Sequence, residues 1–542
     1  MTISKIDFSQ LLKEITDIGI ALSAEKNHSR LLEMILLKAK ELTNADGGSL
    51  YIYSEDRTLH FEIIRTESLG IHMGGTSGKP IDFQPISLYD EQGNPKDNMV
   101  VVRSALTNET YNIKDAYKNK EFDFSGTRNF DKSTGYRSQS FLTVPMTNHE
   151  NNLIGVLQLI NAIDPDTGDV TIFSDLDQQL VESLSSQAAV TITNRNLIDA
   201  QKKLFDSFIQ LIAGAIDEKS PYTAGHCRRV PVITNMLADA ACNINKGPLQ
   251  SFIMTDEEKY ELEVAAWLHD CGKITTPEYV VDKGTKLETI FDRIHLVDAR
   301  FEIIKRDAIV SALMSKLSVS SESQEFNWRE DKELQDKLTQ LEEDREYIKH
   351  CNTGGEQITD EQISRINKIG SYTLQLNSEE LPLLTEEEIQ NLQIGRGTLT
   401  LREREIINNH VNVTIKMLES LPYPKHLQRV PEFAGCHHEK MDGTGYPNGL
   451  TKQEMSLPAR MVAIADVFEA LTASDRPYKK AMSLSQSLSI LGRMKQDGHV
   501  DPDLFDVFMH EKIYMKYAKE HLSPEQQVEV VDPSSIPGYQ PL

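Results

Sequence analysis

The sequence predicts a multidomain chain: an N-terminal α+β domain, a long connecting helix, and a C-terminal all-α domain carrying a helical insertion. Three observations predict it. Helical apolar spacing followed by paired strand-like runs occupies residues 1–195. Val190, Leu197, Leu204 and Leu211 then recur every seven residues. Beyond them helical periodicity dominates, and histidines and aspartates recur inside it.

In order, residues 8–43 read as helix, from Leu11, Leu12, Ile15, Ile18 and Leu22 and then Leu31, Leu32, Ile35, Leu36 and Ala39. Gly47-Gly48 is expected to break it. Strands are expected at 49–53, 59–64, 99–102, 140–146 and 153–160, with a polar hairpin turn at 148–152. Helix, antiparallel strands and helix again make a sensor-like α+β domain. A connecting helix over 180–215 follows, whose seven-residue stripe favours a parallel two-helix seam, interrupted by Asn194 and Gln201. Packing of that helix on its own domain is the alternative. Helices are expected at 257–273, 401–420, 455–475 and 483–496. Residues 284–395 are charged and broken by Gly354-Gly355 and Gly370; they read as an inserted helical excursion, a short antiparallel hairpin with a solvated face. The all-α domain covers 205–525, and 526–542 is a loose proline-bearing tail.

The 542 residues include 57 Lys+Arg and 82 Asp+Glu, a formal charge of −25. That balance disfavours broad binding to DNA, RNA or anionic lipid but leaves room for a small anion in a local basic pocket. No apolar run reaches bilayer length, and no apolar core follows Lys5 as in a signal peptide. Five cysteines, an odd number without a Cys-x-x-Cys pair, argue against a disulfide framework and for a reducing cytoplasm. Cys227, Cys271 and Cys436 lie near histidines of interest, where small-residue packing outweighs ligation.

Residues 133–140, 142–146 and 154–161 resemble a GAF domain, most closely the GAF modules of cyclic-nucleotide phosphodiesterases. Asn161, Phe173 and Asp177 match the signature of those modules; Ala162 and Gln178 depart from it. The resemblance implies the fold, and leaves open either nucleotide binding or a ligand-free dimerisation module.

His226, His269-Asp270, His410, His437-His438 and Asp466 supply five imidazoles and two carboxylates in helix-rich sequence. Such a donor set fits two mid-row divalent cations, Fe or Mn. These motifs resemble the HD-GYP phosphodiesterases of the HD hydrolase superfamily, over about residues 205–285 and 395–515. The resemblance rests on His269-Asp270-Cys271-Gly272-Lys273-Ile274, His437-His438-Glu439, Asp442-Gly443-Thr444-Gly445-Tyr446-Pro447 and residues 473–480. It implies that His226, His269, Asp270 and Asp466 hold one metal, and His410, His437 and His438 the other, with Asp270 bridging. Lys273 would contact the attacked phosphate, Arg460, Arg476 and Lys479 would neutralise phosphates, and Tyr446 would line the pocket. The implied substrate is a cyclic dinucleotide, cyclic di-GMP before cyclic GMP-AMP, cleaved under control of the GAF-like domain in a homodimer.

Departures leave alternatives. The insertion within the loop after Lys273 creates a rival ligand, His295, although the flanks of His410 fit the family better. Tyr222 stands where some relatives carry a third-metal glutamate, so two metals are expected, with Asp217 and Glu218 nearby. His60, His149, His499, His510 and His521 read as structural. The competing function is a catalytically silent adaptor that binds nucleotide or protein partners.

Overall fold

The computed structural model describes residues 5–219, 225–319, 327–354, 357–376, 379–473, 482–527 and 531–541. The chain divides into two compact units, Met1–Phe205 and Asp206–Leu542. Helix α5 (Asp175–Lys219) runs through the division.

The first unit begins with two helices, not one: α1 (Lys5–Ala24) and α2 (His28–Thr43). The expected single helix breaks because Asn27 turns its side chain onto the Arg30 N–H, an N-cap that starts α2 afresh. Gly47-Gly48 does not end α2 either. Asn44, in the left-handed region, does so, and both glycines lie in β1 (Ala45–Tyr53). A Cβ on Gly48 would stand 2.8 Å from Leu36 Cδ1, so the bare glycine lets α2 lie close on the sheet.

The sheet continues with β2 (Thr58–Thr66), β3 (Ile71–Gly74), β4 (Ile86–Ser87), β5 (Tyr111–Ile113), β6 (Phe141–Thr147), β7 (Leu153–Ile163) and β8 (Val170–Thr171). Its order is β3-β2-β1-β7-β6-β5, with β4 on β2, β8 on β7, and every pairing antiparallel. The β6–β7 hairpin closes where Asn148 N–H donates to the Asn152 carbonyl at 3.0 Å. Alternation along β1 sends Leu50 into a core with Leu32, Ile35 and Leu36 of α2 and Leu184 and Ala188 of α5. Tyr51 points to the opposite face and packs with Leu59, Val101, Val102 and Val156.

Residues 99–102 are not a strand. Val100–Thr107 forms helix α3, and α4 (Ser125–Thr134) follows β5. Three consecutive valines have strand propensity, but Val101, Val102 and Ala105 bury together against the sheet only as a helix face, and tertiary packing overrides the local preference. Asn161, Phe173 and Asp177 have structural partners. The Asn161 amide accepts from the Gln139 N–H at 2.7 Å and donates to the Arg137 carbonyl at 2.8 Å; Phe173 is core; Asp177 accepts from the Ser174 N–H at 2.7 Å.

The second unit is helical: α6 (His226–Asn243), α7 (Asp256–Leu268), a 3-10 turn (Cys271–Thr275), α8 (Glu278–Val281), and, after the insertion, α13 (Leu401–Asn408), α14 (His410–Glu419), α15 (Val430–Gly435), α16 (Leu457–Thr472), α17 (Leu484–Gln496), α18 (Pro502–His510), α19 (Ile513–His521) and α20 (Pro524–Gln527). Asn409 divides the helix expected over 401–420. The insertion holds α9 (Ile294–Val319), α10 (Lys332–Asn352), α11 (Asp360–Gly370), the hairpin β9 (Thr373–Leu376) and β10 (Glu379–Pro382), and α12 (Glu386–Leu392). It is more than a hairpin: Leu287, Phe301, Leu341, Ile348, Ile366, Leu383 and Leu392 make a core of its own. Its ends are tied by Lys283, whose buried Nζ donates to Asn391 Oδ1 and to both Glu403 oxygens at 2.9 Å. Among the described residues no helix is long and apolar enough to cross a membrane.

Candidate metal centre

Helix ends assemble the site. His226 opens α6, His269 closes α7 with Asp270 after it, His410 opens α14, His437-His438 follow α15, and Asp466 lies within α16. The 3-10 turn and α14 approach closely at Gly272, where a Cβ would stand 2.0 Å from the His410 carbonyl oxygen. Gly272 N–H donates to Thr414 Oγ1 at 2.9 Å, locking the two segments together. Asp217 accepts from Gly225 N–H (3.1 Å) and Cys227 N–H (3.2 Å), so it caps the start of α6.

Two donor groups result, His226/His269/Asp466 and His410/His437/His438, each with its ligating atoms within 4.8 Å of one another. Asp270 faces both. Its Oδ2 is 3.4 Å from His226 Nε2 and 3.3 Å from His269 Nε2, and its Oδ1 is 3.2 Å from His410 Nε2 and 3.9 Å from His437 Nε2. Asp466 Oδ1 is 3.2 Å from His226 Nε2. Lys273 Nζ donates to Asp270 Oδ2 at 2.6 Å.

The imidazoles are oriented by their outer nitrogens. The Nδ1 of His269 lies 2.8 Å from the Ala266 carbonyl and that of His437 2.6 Å from the Ala434 carbonyl; His410 Nδ1 meets the Ile407 carbonyl. Donation from Nδ1–H leaves each Nε2 lone pair free for a cation. His226 differs: its Nδ1 meets Glu469 Oε2, and Glu469 Oε1 accepts from Arg229 Nε at 2.6 Å. Tyr446 lies beside His438 with ring centroids 4.9 Å apart and the ring planes tilted by 32°.

The donor chemistry fits metal cations. Asp270 Oδ1, His410 Nε2 and His437 Nε2 are buried and lack a hydrogen-bond partner, a costly arrangement that a cation among them resolves. Burial pushes His437 far below the usual imidazole range and His438 down to about 4, so both are neutral ligands at neutral pH. Burial opposes a charge on His226 too, but Glu469, Asp270 and Asp466 outweigh it and hold its pKa well above normal. Burial also disfavours the Asp270 carboxylate, yet Lys273 and His269 hold its pKa well below normal. Burial raises the Cys271 thiol to about 11 and the Cys436 thiol to about 12, which suits packing rather than ligation.

All seven expected ligands therefore converge. His295 does not join them; it lies exposed on α9. Arg460 pairs with Asp501, and its Nε donates to the Ser456 carbonyl at 3.3 Å. Arg476, Lys479 and Tyr222 lie outside the described residues. Sequence reasoning missed Glu469 and Arg229, although Glu469 stands three residues after Asp466 on one helix face. It also missed the job of Glu439, which is buried and accepts from Asn448 N–H (2.7 Å) and Leu450 N–H (3.0 Å), shaping the loop that carries Tyr446.

Residues 27–192 match the GAF domain family and residues 383–504 the HD domain family. The chain is 26% identical over 341 residues to a 3'3'-cGAMP-specific phosphodiesterase of Vibrio cholerae, covering 60% of this chain and 46% of that protein. It is 47% identical over 113 residues to a cyclic di-GMP phosphodiesterase of Pseudomonas aeruginosa, covering 21% and 26%. A second 3'3'-cGAMP-specific phosphodiesterase of Vibrio cholerae is 48% identical over 80 residues, 15% and 18%. The chain spans less than half the length of these curated relatives. The chain thus carries a segment similar to GAF domains followed by a segment similar to HD domains.

Proposed function

We propose that the protein is a metal-dependent phosphodiesterase that hydrolyses a cyclic dinucleotide, cyclic di-GMP in the first place, to the linear dinucleotide or to GMP. The observation that carries this reading is Asp270, with one carboxylate oxygen on each histidine group. His226, His269, Asp270 and Asp466 would hold one divalent cation, and His410, His437, His438 and the second oxygen of Asp270 another, iron or manganese by donor type. Such a pair of cations supplies a hydroxide at neutral pH and Lewis acidity toward a phosphate oxygen.

The chain's own groups do the rest. Lys273 keeps Asp270 ionised and presents an ammonium to the phosphate at the side of Oδ2. Tyr446 offers a ring for a base or ribose beside His438. Arg476 and Lys479 neutralise phosphate charge, and Arg460 reaches a phosphate by exchanging Asp501 for it. Hydrolysis forms a bond from water oxygen to phosphorus and breaks the bond to the ribose 3' oxygen, which takes a proton. The domains act as 1–195 sensing, 180–215 connecting, and 205–525 catalysing in the cytoplasm, with 526–542 as a tail. Homodimerisation runs through the GAF domain and α5, where Leu197, Leu204 and Leu211 are exposed.

A relative matched over 341 residues is named as specific for 3'3'-cGAMP, which makes that nucleotide the second candidate. Anaerobically purified protein is expected to carry two metals per chain by elemental analysis and to release linear product from one of these nucleotides. No turnover of either by the metal-loaded sample overturns the proposal and favours the silent adaptor.

A further inference from the structure

A cavity of about 1210 Å3 opens where the insertion meets α8 and α13. None of its lining residues is a metal-site residue. Five lining side chains are charged: Glu387, Arg396, Arg402, Glu403 and Arg404. Both acids are already neutralised, Glu387 by Arg293 at 3.3 Å and Glu403 by the buried Lys283 at 2.9 Å. Among the described residues the three arginines have no acidic partner; Arg404 donates to the Arg396 carbonyl. In a chain of net charge −25 this is a concentrated positive site. The wall is not purely cationic. Tyr279, Ile358 and Leu399 add apolar surface, and Gln357 and Gln390 add amides that donate and accept. Cation, flat apolar surface and amide together are the complement of a phosphorylated nucleotide: guanidinium for phosphate, ring and aliphatic faces for the base, amides for its edge.

We propose that this cavity is a second nucleotide site, at which a phosphorylated nucleotide is held by Arg396 and Arg402. Its position gives it a route to the metal centre. Arg402 and Arg404 stand on α13, and the Ile407 carbonyl near the end of that helix meets Nδ1 of His410. Glu403 of the same helix is clamped by Lys283 at the mouth of the insertion. A nucleotide that draws Arg402 inward therefore acts on the segment that orients a metal-site histidine.

The test is isothermal titration of the full-length, metal-loaded chain with GTP, GMP and cyclic di-GMP in turn. The arms separate an independent effector from product or substrate. The same titrations are run on metal-loaded R396A/R402A and R402E, and on D270N as purified, whatever metal it holds. The expected result is a binding event, with at least one of the three nucleotides, that weakens about tenfold or more in both arginine variants and persists in D270N. Unchanged affinity in R402E, or no binding event that survives in D270N, overturns the proposal. Both arginines are exposed, and a thermal melt matching the wild type shows that the fold is kept. Turnover is scored separately. Loss of the phosphodiesterase reading leaves this site standing if binding still responds to Arg396 and Arg402, and the converse holds.

Discussion

Asp270 is where the site is most exposed to a single change. Among the described residues its carboxylate is the one carboxylate with an oxygen against each histidine set, and Lys273 is its cationic partner. Replacement by asparagine removes the charge and takes from the half-buried Lys273 its closest counter-ion. Asp270→Asn is expected to lose both turnover and stoichiometric metal, read by product chromatography and elemental analysis; a variant that still loads two metals refutes the bridging role. His295→Ala, by contrast, is expected to load metal as the wild type does. Glu469 acts through His226 rather than on substrate. Glu469→Gln is expected to weaken metal retention about 10–100-fold in chelator competition while leaving the circular dichroism spectrum unchanged. Equal retention would show that the His226–Glu469 contact does not tune the ligand.

At the scale of elements, the centre depends on how closely the 3-10 turn meets α14. Gly272→Ala places a methyl on the His410 carbonyl and the Thr414 N–H, both backbone, so neither yields by rotation. The cost is expected at about 1–3 kcal/mol of stability, with metal loading falling in parallel, and unaltered melting would show that the turn shifts freely. Helix α13 begins with a capping box in which Thr400 and Glu403 exchange hydrogen bonds. Thr400→Ala is expected to cost about 1 kcal/mol in denaturant unfolding. In α5, Leu197 and Leu204 are 60% and 57% exposed. A Leu197→Glu/Leu204→Glu variant is expected to lower the mass seen by light scattering if this face pairs with a second copy, and an unchanged mass removes the helix from the interface.

On the scale of the whole molecule, the insertion is a folded body within the helical second unit rather than a loop. Its α9 and α10 are held by ion pairs: Arg345 spans Asp298 at 2.6 Å and Glu302 at 3.1 Å, and Lys349 adds Asp298 at 3.1 Å. The hydrogen bond from Arg345, against a smaller opposing effect of burial, lowers the Asp298 carboxyl from 3.8 to about 2. A depressed carboxyl stabilises the fold above its unfolded value and loses that contribution as pH falls through the folded one. The melting-temperature gap between wild type and Asp298→Asn is therefore expected to be constant above pH about 5 and to close toward pH about 2. A gap that persists to pH about 2 would assign the difference to packing.

The site was legible in the sequence because metal donors are few residue types in short motifs: His269-Asp270, His437-His438 and the glycine-rich stretch through Tyr446 name themselves, and each arrives at the centre. Glu469 and Arg229 were not legible, because a carboxylate that orients a ligand looks like any helical charge until α6 and α16 are packed together. Local elements divided in the same way. The β6–β7 hairpin follows from alternation and turn residues alone. Val100–Val102 does not, since three valines favour a strand and only the apolar surface waiting under α3 makes a helix the lower state. The sequence by itself determined the α+β-then-α architecture through near-neighbour spacing, and it named the candidate donor residues through their motifs and the resemblance those carry. Only the tertiary structure decided that Asp270 faces both histidine groups, that Arg460 spends its charge on Asp501, and that the insertion encloses an arginine-lined cavity. Those are relations between residues far apart in the chain, set by packing that no local pattern encodes.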